Sequence, residues 1–222
     1  MRAADAKLKP GDKVELIVPA VSAGLKAEEG PLDVLYADED IAVVDKPAGL
    51  TIHPCPSCPR GTMVIRLLSR FPQLAEQDGP RPGIVHRLDK DTSGLVVIAL
   101  SEKARLRLVE DFAARRVHKT YLAVTRGIAP AEGVSTSPIG RHPTLKTRMA
   151  VVPLEKGGRD AFTEWSTLYA SPSGRFSLLS VRLHTGRTHQ IRVHLAEKGF
   201  PLWGDGVYGP GSVEVRRQLL HA

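Results

Sequence analysis

Two short stretches of this chain concentrate side chains that can do chemistry. The first is Pro82-Gly83-Ile84-Val85-His86-Arg87-Leu88-Asp89-Lys90-Asp91-Thr92-Ser93-Gly94, in which Asp89 stands between Arg87 and Lys90. Cations at that range favour the ionised carboxylate, which suits a nucleophile better than an acid. The last four residues, Asp91 to Gly94, are also ordinary turn chemistry, so both readings stand on these residues alone. The second stretch is His184-Thr185-Gly186-Arg187-Thr188-His189-Gln190-Ile191-Arg192-Val193-His194, a glycine turn opening a helix that carries histidines and arginines. A metal centre is the obvious rival there. Yet His189 and His194 are five positions apart, well off a common helix face at about 100° per residue. The glutamate of a His-Glu-x-x-His zinc site is missing too. No metal is expected, and a phosphate or carboxylate held at the helix start beside Arg187 fits better.

Two further features carry weaker signals. Cys55-Pro56-Ser57-Cys58 follows His53, but a structural zinc needs about four ligands and there is no second cysteine pair. The surrounding prolines do not suit the thioredoxin-like helix start that a redox pair would need, so a loop without chemistry is expected. Tyr121, in Lys119-Thr120-Tyr121-Leu122-Ala123-Val124, sits among apolar neighbours in a strand, the usual setting of a core tyrosine with one polar tip.

Elements must hold these groups in place. Leu32–Tyr36 and Ile41–Asp45 read as strands, and Gly94–Leu100 is a continuous apolar run suited to a buried strand. Val117–Thr125, Arg148–Val152, Ala161–Tyr169 and Phe176–Leu183 add further strands. Helices are expected over Thr62–Phe71, from an N-cap at Ser101 through Arg116, and over Arg187–Glu197 with Gly199 as its stop. Many strands and three helices predict an α+β fold built on a mixed or antiparallel sheet. Leu8–Pro19 reads as a strand-bearing tail and residues 20–30 as a linker. Residues 1–30 are too few to bury a core, so 31–222 is expected to be the functional domain.

Composition limits the classes. The 222 residues include 31 Lys+Arg against 24 Asp+Glu, a net charge of +7. Residues 1–50 hold 6 basic and 10 acidic side chains, leaving 25 and 14 for the rest, so a balance of −4 precedes one of +11. Of those 25 cations 19 are arginine, whose planar fork suits phosphates and stacking on bases. The body therefore points to a polyanion such as RNA or DNA, unless its cations only solvate the surface. At 42% hydrophobic the chain is not disordered, and two cysteines cannot staple it. No run approaches the roughly 20 apolar residues of a membrane span, and a soluble cytoplasmic protein is expected.

Taken in order, Asp45-Lys46-Pro47-Ala48-Gly49, His86-Arg87-Leu88-Asp89 with Thr92-Ser93-Gly94-Leu95, Lys119-Thr120-Tyr121 and Thr185 to His194 together resemble the RluA-type pseudouridine synthases. Pro201-Leu202-Trp203-Gly204-Asp205-Gly206-Val207-Tyr208-Gly209 is similar to that family's stretch after the helix, and the likeness spans residues 32–221. The resemblance implies a mixed, mostly antiparallel central sheet with flanking helices and a catalytic cleft, and an enzyme that isomerises uridine to pseudouridine in RNA, without cofactor or metal. It implies that the Asp89 carboxylate attacks a flipped-out nucleotide, with the sugar and the base ring both open as the point of attack. Tyr121 would stack beside the base and assist loss of the ring proton. Arg192 would pair with Asp89, Ile191 would pack on the uracil, and Arg87 would fill the gap left in the RNA. His86, Arg187, Thr188, His189 and Gln190 fall in the same motifs as further RNA-binding candidates. Ribosomal RNA is preferred over transfer RNA, and a monomer is the default.

The tail Leu8–Pro19 looks like the end of a small RNA-binding domain, and the close at Leu220-His221-Ala222 looks like a catalytic domain that stops before its last strands. Two other functions compete: a non-catalytic RNA-binding protein on the same fold, and a hydrolase or nuclease using His86 or His189. The first predicts loss of Asp89, Tyr121 or Arg192, all of which are present. The second lacks both a G-x-S-x-G elbow and clustered metal carboxylates.

Overall fold

The computed structural model describes Lys13, residues 25–77, Gly79 and residues 81–222. The expected strand at Leu8–Pro19 lies outside the described residues but for Lys13. Among the described residues are ten strands and three α-helices: β1 Asp33–Ala37, β2 Ile41–Lys46, α1 Met63–Arg70, β3 Gly94–Ala99, α2 Glu102–Ala113, β4 Lys119–Arg126, β5 Glu132–Ser135, β6 Ile139–Arg141, β7 Met149–Val151, β8 Thr163–Ala170, β9 Phe176–Leu183, α3 Gln190–Glu197 and β10 Leu220–His221. The α+β class expected from the pattern is the one observed.

Three ladders are antiparallel throughout: β1-β2-β3, β10-β4-β9-β8-β5 and the separate hairpin β6-β7. The last residues join the first two. Leu95 N–H donates to the Ala222 carbonyl at 3.1 Å and Ala222 N–H to the Ser93 carbonyl at 2.9 Å. His221 thereby makes a parallel bridge with Ser93 while β10 pairs with Leu122 and Ala123 of β4. The two larger sheets are linked by this isolated bridge, and Gly94 is what lets them meet. Its φ is +119°, and a Cβ there would collide with the Ala222 backbone.

Each half has its own core. Val44, Val96 and Ile98 of β2 and β3 pack with Val64, Leu67 and Leu68 of α1, and Leu88 joins them. Trp165, Leu179 and Val181 of β8 and β9 pack with Ile191 and Leu195 of α3 and with Leu220. Tyr121 touches both cores. The Ser101 hydroxyl accepts the Ala104 N–H at 3.1 Å, so the cap expected for α2 is made.

The third helix starts later than its pattern suggested. Its N-cap is His189, held at φ +56°, and residues 187–189 form a turn before the first helical residue. The reason is Gln190. Its amide oxygen accepts the Thr185 hydroxyl at 2.8 Å and the Arg187 N–H at 2.9 Å, drawing the chain into a turn where a helix would otherwise begin.

Candidate active site

Asp89 is placed by the loop that carries it. Leu88, buried in the first core, fixes the residue before it, and the Asp89 carbonyl accepts the Thr92 N–H at 3.2 Å. Below the loop lies Lys46, fully buried, whose ammonium donates to the carbonyls of Pro47, Leu50 and Lys90 at 2.9, 3.0 and 2.9 Å. Burial pulls that ammonium down to about 8, against the opposing pull of Asp91 and Asp89. On the far side Gln218 donates to the Thr92 hydroxyl at 3.3 Å. The Asp89 carboxylate is thus held by a framework drawn from three distant parts of the chain.

What faces it comes from α3. The Arg192 Nη1 is 3.5 Å from Asp89 Oδ2 and the His189 Nε2 is 3.8 Å away. Burial pushes the His189 imidazole down against the pull of Asp89, with Arg192 and Arg87 adding to the fall, so the ring is neutral near pH 7. Burial also works against the Arg192 guanidinium, but Asp205 and Asp89 outweigh it and keep the charge. Burial pushes the Tyr121 phenol up to about 12, with Asp89 adding to it, so that group is an O–H at any ordinary pH.

These groups line one half-open cleft of about 110 Å³. Arg87, Asp89, Tyr121, Arg187, Thr188, His189, Gln190, Ile191 and Arg192 all reach it, together with Leu88, Thr92, Leu183, Gly186 and Leu220. The arrangement presents a carboxylate, a guanidinium, a neutral imidazole and a phenol on an apolar floor of Ile191, Leu183 and Leu220. It can hold one flat ring against that floor while an ionised oxygen attacks it or its substituent.

Two candidates stand elsewhere in role or place. His86 is absent from the cleft lining. Its Nε2 accepts the Val97 N–H at 3.0 Å and its ring stacks on Phe112 at 4.7 Å, so it ties the loop to β3 and α2. Burial, helped by Lys119, pulls it down to about 4. Gln190 reaches the cleft but spends its polar atoms inside, donating to the Phe162 carbonyl and the Thr163 hydroxyl at 3.0 Å each besides accepting its two bonds. It shapes the turn and has no polar capacity left for a ligand.

His194 is a core residue, bonded to the Thr163 hydroxyl and the Ser137 carbonyl at 2.8 Å each. Among the described residues no three of His, Cys, Asp and Glu gather into a metal-holding group. Cys55 and Cys58 are free thiols at the ends of a tight turn, exchanging backbone hydrogen bonds of 3.1 and 2.9 Å.

The residue that sequence reasoning missed is Asp205. Its carboxylate, entirely buried, takes the Arg192 Nε and Nη2 at 2.7 and 3.0 Å, shorter contacts than Arg192 makes with Asp89. In sequence it is one aspartate in a Gly-Asp-Gly turn 13 positions after Arg192, with nothing to mark its partner.

Known proteins place this geometry. The description RNA pseudouridylate synthase belongs to the family that matches residues 40–197. An uncharacterized RNA pseudouridine synthase of Chloroflexus aurantiacus is 50% identical over 97% of this chain and 67% of its own. The ribosomal large subunit pseudouridine synthase D of Xanthomonas campestris is 45% identical over the same shares, so the chain spans about two thirds of such relatives. Among solved structures, human RNA pseudouridylate synthase domain containing 1 superposes with a TM-score of 0.69 at 31% identity, covering 88% of this chain and 79% of that one. Motif order, sheet and cleft agree with this likeness over most of the sequence, and the chain belongs to the RNA pseudouridylate synthase family.

Proposed function

We propose that this RNA pseudouridine synthase modifies uridines of large-subunit ribosomal RNA, with Asp89 as its nucleophile. The observation that carries the reading is the Asp89 carboxylate in the cleft, faced by Arg192 at 3.5 Å and across from Tyr121. The target RNA is carried over from the relatives named for the large ribosomal subunit. Isomerisation breaks the bond from the sugar C1′ to N1 of uracil and makes one to C5. The C5 hydrogen leaves and N1 gains one, so atoms balance without cofactor or metal.

In this reading Asp89 attacks the extruded nucleotide and Arg192, 3.5 Å away, aims its carboxylate. Ile191 supports the ring. Tyr121, its phenol protonated, can take the ring proton only as it passes on its own. Arg87, exposed at the mouth, occupies the space the base leaves, which offsets part of the few kcal/mol that unstacking costs. Arg187 and Thr188 meet the RNA backbone beside it. In this reading the enzyme works as a monomer in the cytoplasm. No helix among the described residues is long and apolar enough to cross a membrane.

Asp89→Asn tests the assignment. It should abolish tritium release from ring-labelled uridine RNA while RNA binding stays within about twofold. Turnover at the normal rate would overturn it. Carbodiimide primer extension on ribosomal and transfer RNA, from cells with and without the gene, reads the target directly, and a lost stop in transfer RNA alone would overturn the ribosomal assignment.

A further inference from the structure

Both groups that face Asp89 are themselves aimed by one short turn. Asp205 holds Arg192 through two bonds, as described above. The same carboxylate, through Oδ1, accepts the backbone N–H groups of Val207 and Tyr208 at 2.9 and 3.1 Å. Tyr208 then places its phenol oxygen 2.7 Å from His189 Nδ1 and its ring under the Arg192 guanidinium, 5.0 Å from the carbon to the ring centre. The phenol oxygen already accepts the Met149 N–H at 2.9 Å. The phenol oxygen has a second lone pair, so two arrangements satisfy this contact; in one of them the phenol hydrogen goes to His189 Nδ1, which leaves the single ring hydrogen of the neutral imidazole on Nε2, the nitrogen turned toward Asp89.

The turn is rigid for local reasons. Gly204 has φ +79°, and a Cβ there would run into the Arg217 carbonyl. The Gly209 N–H returns to the Asp205 carbonyl at 3.0 Å. His189, a non-glycine residue at φ +56°, is held in an uncommon conformation that only its partners justify.

We propose that Asp205 and Tyr208 are positioning residues of the reaction, Asp205 fixing the fork of Arg192 and Tyr208 fixing the tautomer and aim of His189, so that both present N–H groups to the Asp89 carboxylate. Neither touches the substrate. The inference rests on Asp89 as the reacting group, and the test separates the two.

Single-turnover tritium release and filter binding are measured for Asp89→Asn, Asp205→Asn, Tyr208→Phe and His189→Asn, and for the double variant His189→Asn with Tyr208→Phe. Circular dichroism at the assay temperature reports the folded fraction of each. Tyr208→Phe removes one oxygen and should lower the chemical rate about tenfold with RNA affinity within twofold. In the His189→Asn background the same change should cost less than twofold, because the phenol acts only through that ring. Asp205→Asn should lower the rate about a hundredfold, again with affinity kept in the folded fraction. Equal losses from Tyr208→Phe in both backgrounds, or a full rate in Tyr208→Phe, would overturn the proposal. If Asp89→Asn itself turns over normally, the reading beneath it fails instead.

Discussion

Lys46 and His86 show how far a single side chain's role depends on what surrounds it. Lys46 carries a charge in a fully buried place because three carbonyls accept from it. Replacing it by methionine strands those carbonyls, and Lys46→Met should lower stability by about 3 kcal/mol in urea titrations. His86 is neutral when folded, pulled down to about 4 from an ordinary 6.5. The unfolded chain then binds more protons between those values, so stability is full above about pH 6.5 and falls as pH drops toward 4. The loss at this site is about 3 kcal/mol, and thermal midpoints across that range should fall less steeply in His86→Asn, whose amide oxygen can still accept the Val97 N–H. Asp89, Arg192 and Tyr121 were legible as candidates because motif order singles them out. The inward turn of His86 was not, since the Val97 amide and the Phe112 ring that capture it lie on separate elements.

Strands and helices were readable where one period dominated. Phe176–Leu183 alternates along its length and is a strand over those same residues. The short strands β5, β6 and β10 hold two to four residues each and carry too few positions for a period to declare itself. The start of α3 was misplaced because a side chain three residues on competes for the backbone. Gln190→Ala should release the Arg187 amide and loosen the turn that carries Arg187, Thr188 and His189. Hydrogen exchange at the amides of 187–189 should speed up by at least about tenfold, with β9 unchanged.

Across the whole molecule, the two half-sheets are stitched where Gly94 meets the last residue of the chain. Gly94→Ala forces a Cβ against the Ala222 backbone at a positive φ, and should cost about 2–4 kcal/mol in thermal or urea unfolding. Because Tyr121 packs against both cores, the cleft exists only while this seam holds. Charge acts at the same scale. The Arg-rich body should give RNA binding a steep salt dependence, and Arg187→Ala should weaken affinity and reduce the slope of log affinity against log salt by about 0.7 to 1. An unchanged slope would remove Arg187 from the phosphate contacts.

The amino-acid order by itself determined the class of fold, the basic character of residues 51–222 and the candidate groups that line the cleft, because periodicity, composition and motif are properties of the chain. The tertiary structure alone decided which partner each group has. Asp205 reaches Arg192 from the next turn, Lys46 reaches Lys90 across 44 residues and Ala222 reaches Ser93 and Leu95. Buried hydrogen bonds and ion pairs depend on distance in space, and a chain's spacing carries no direct record of it.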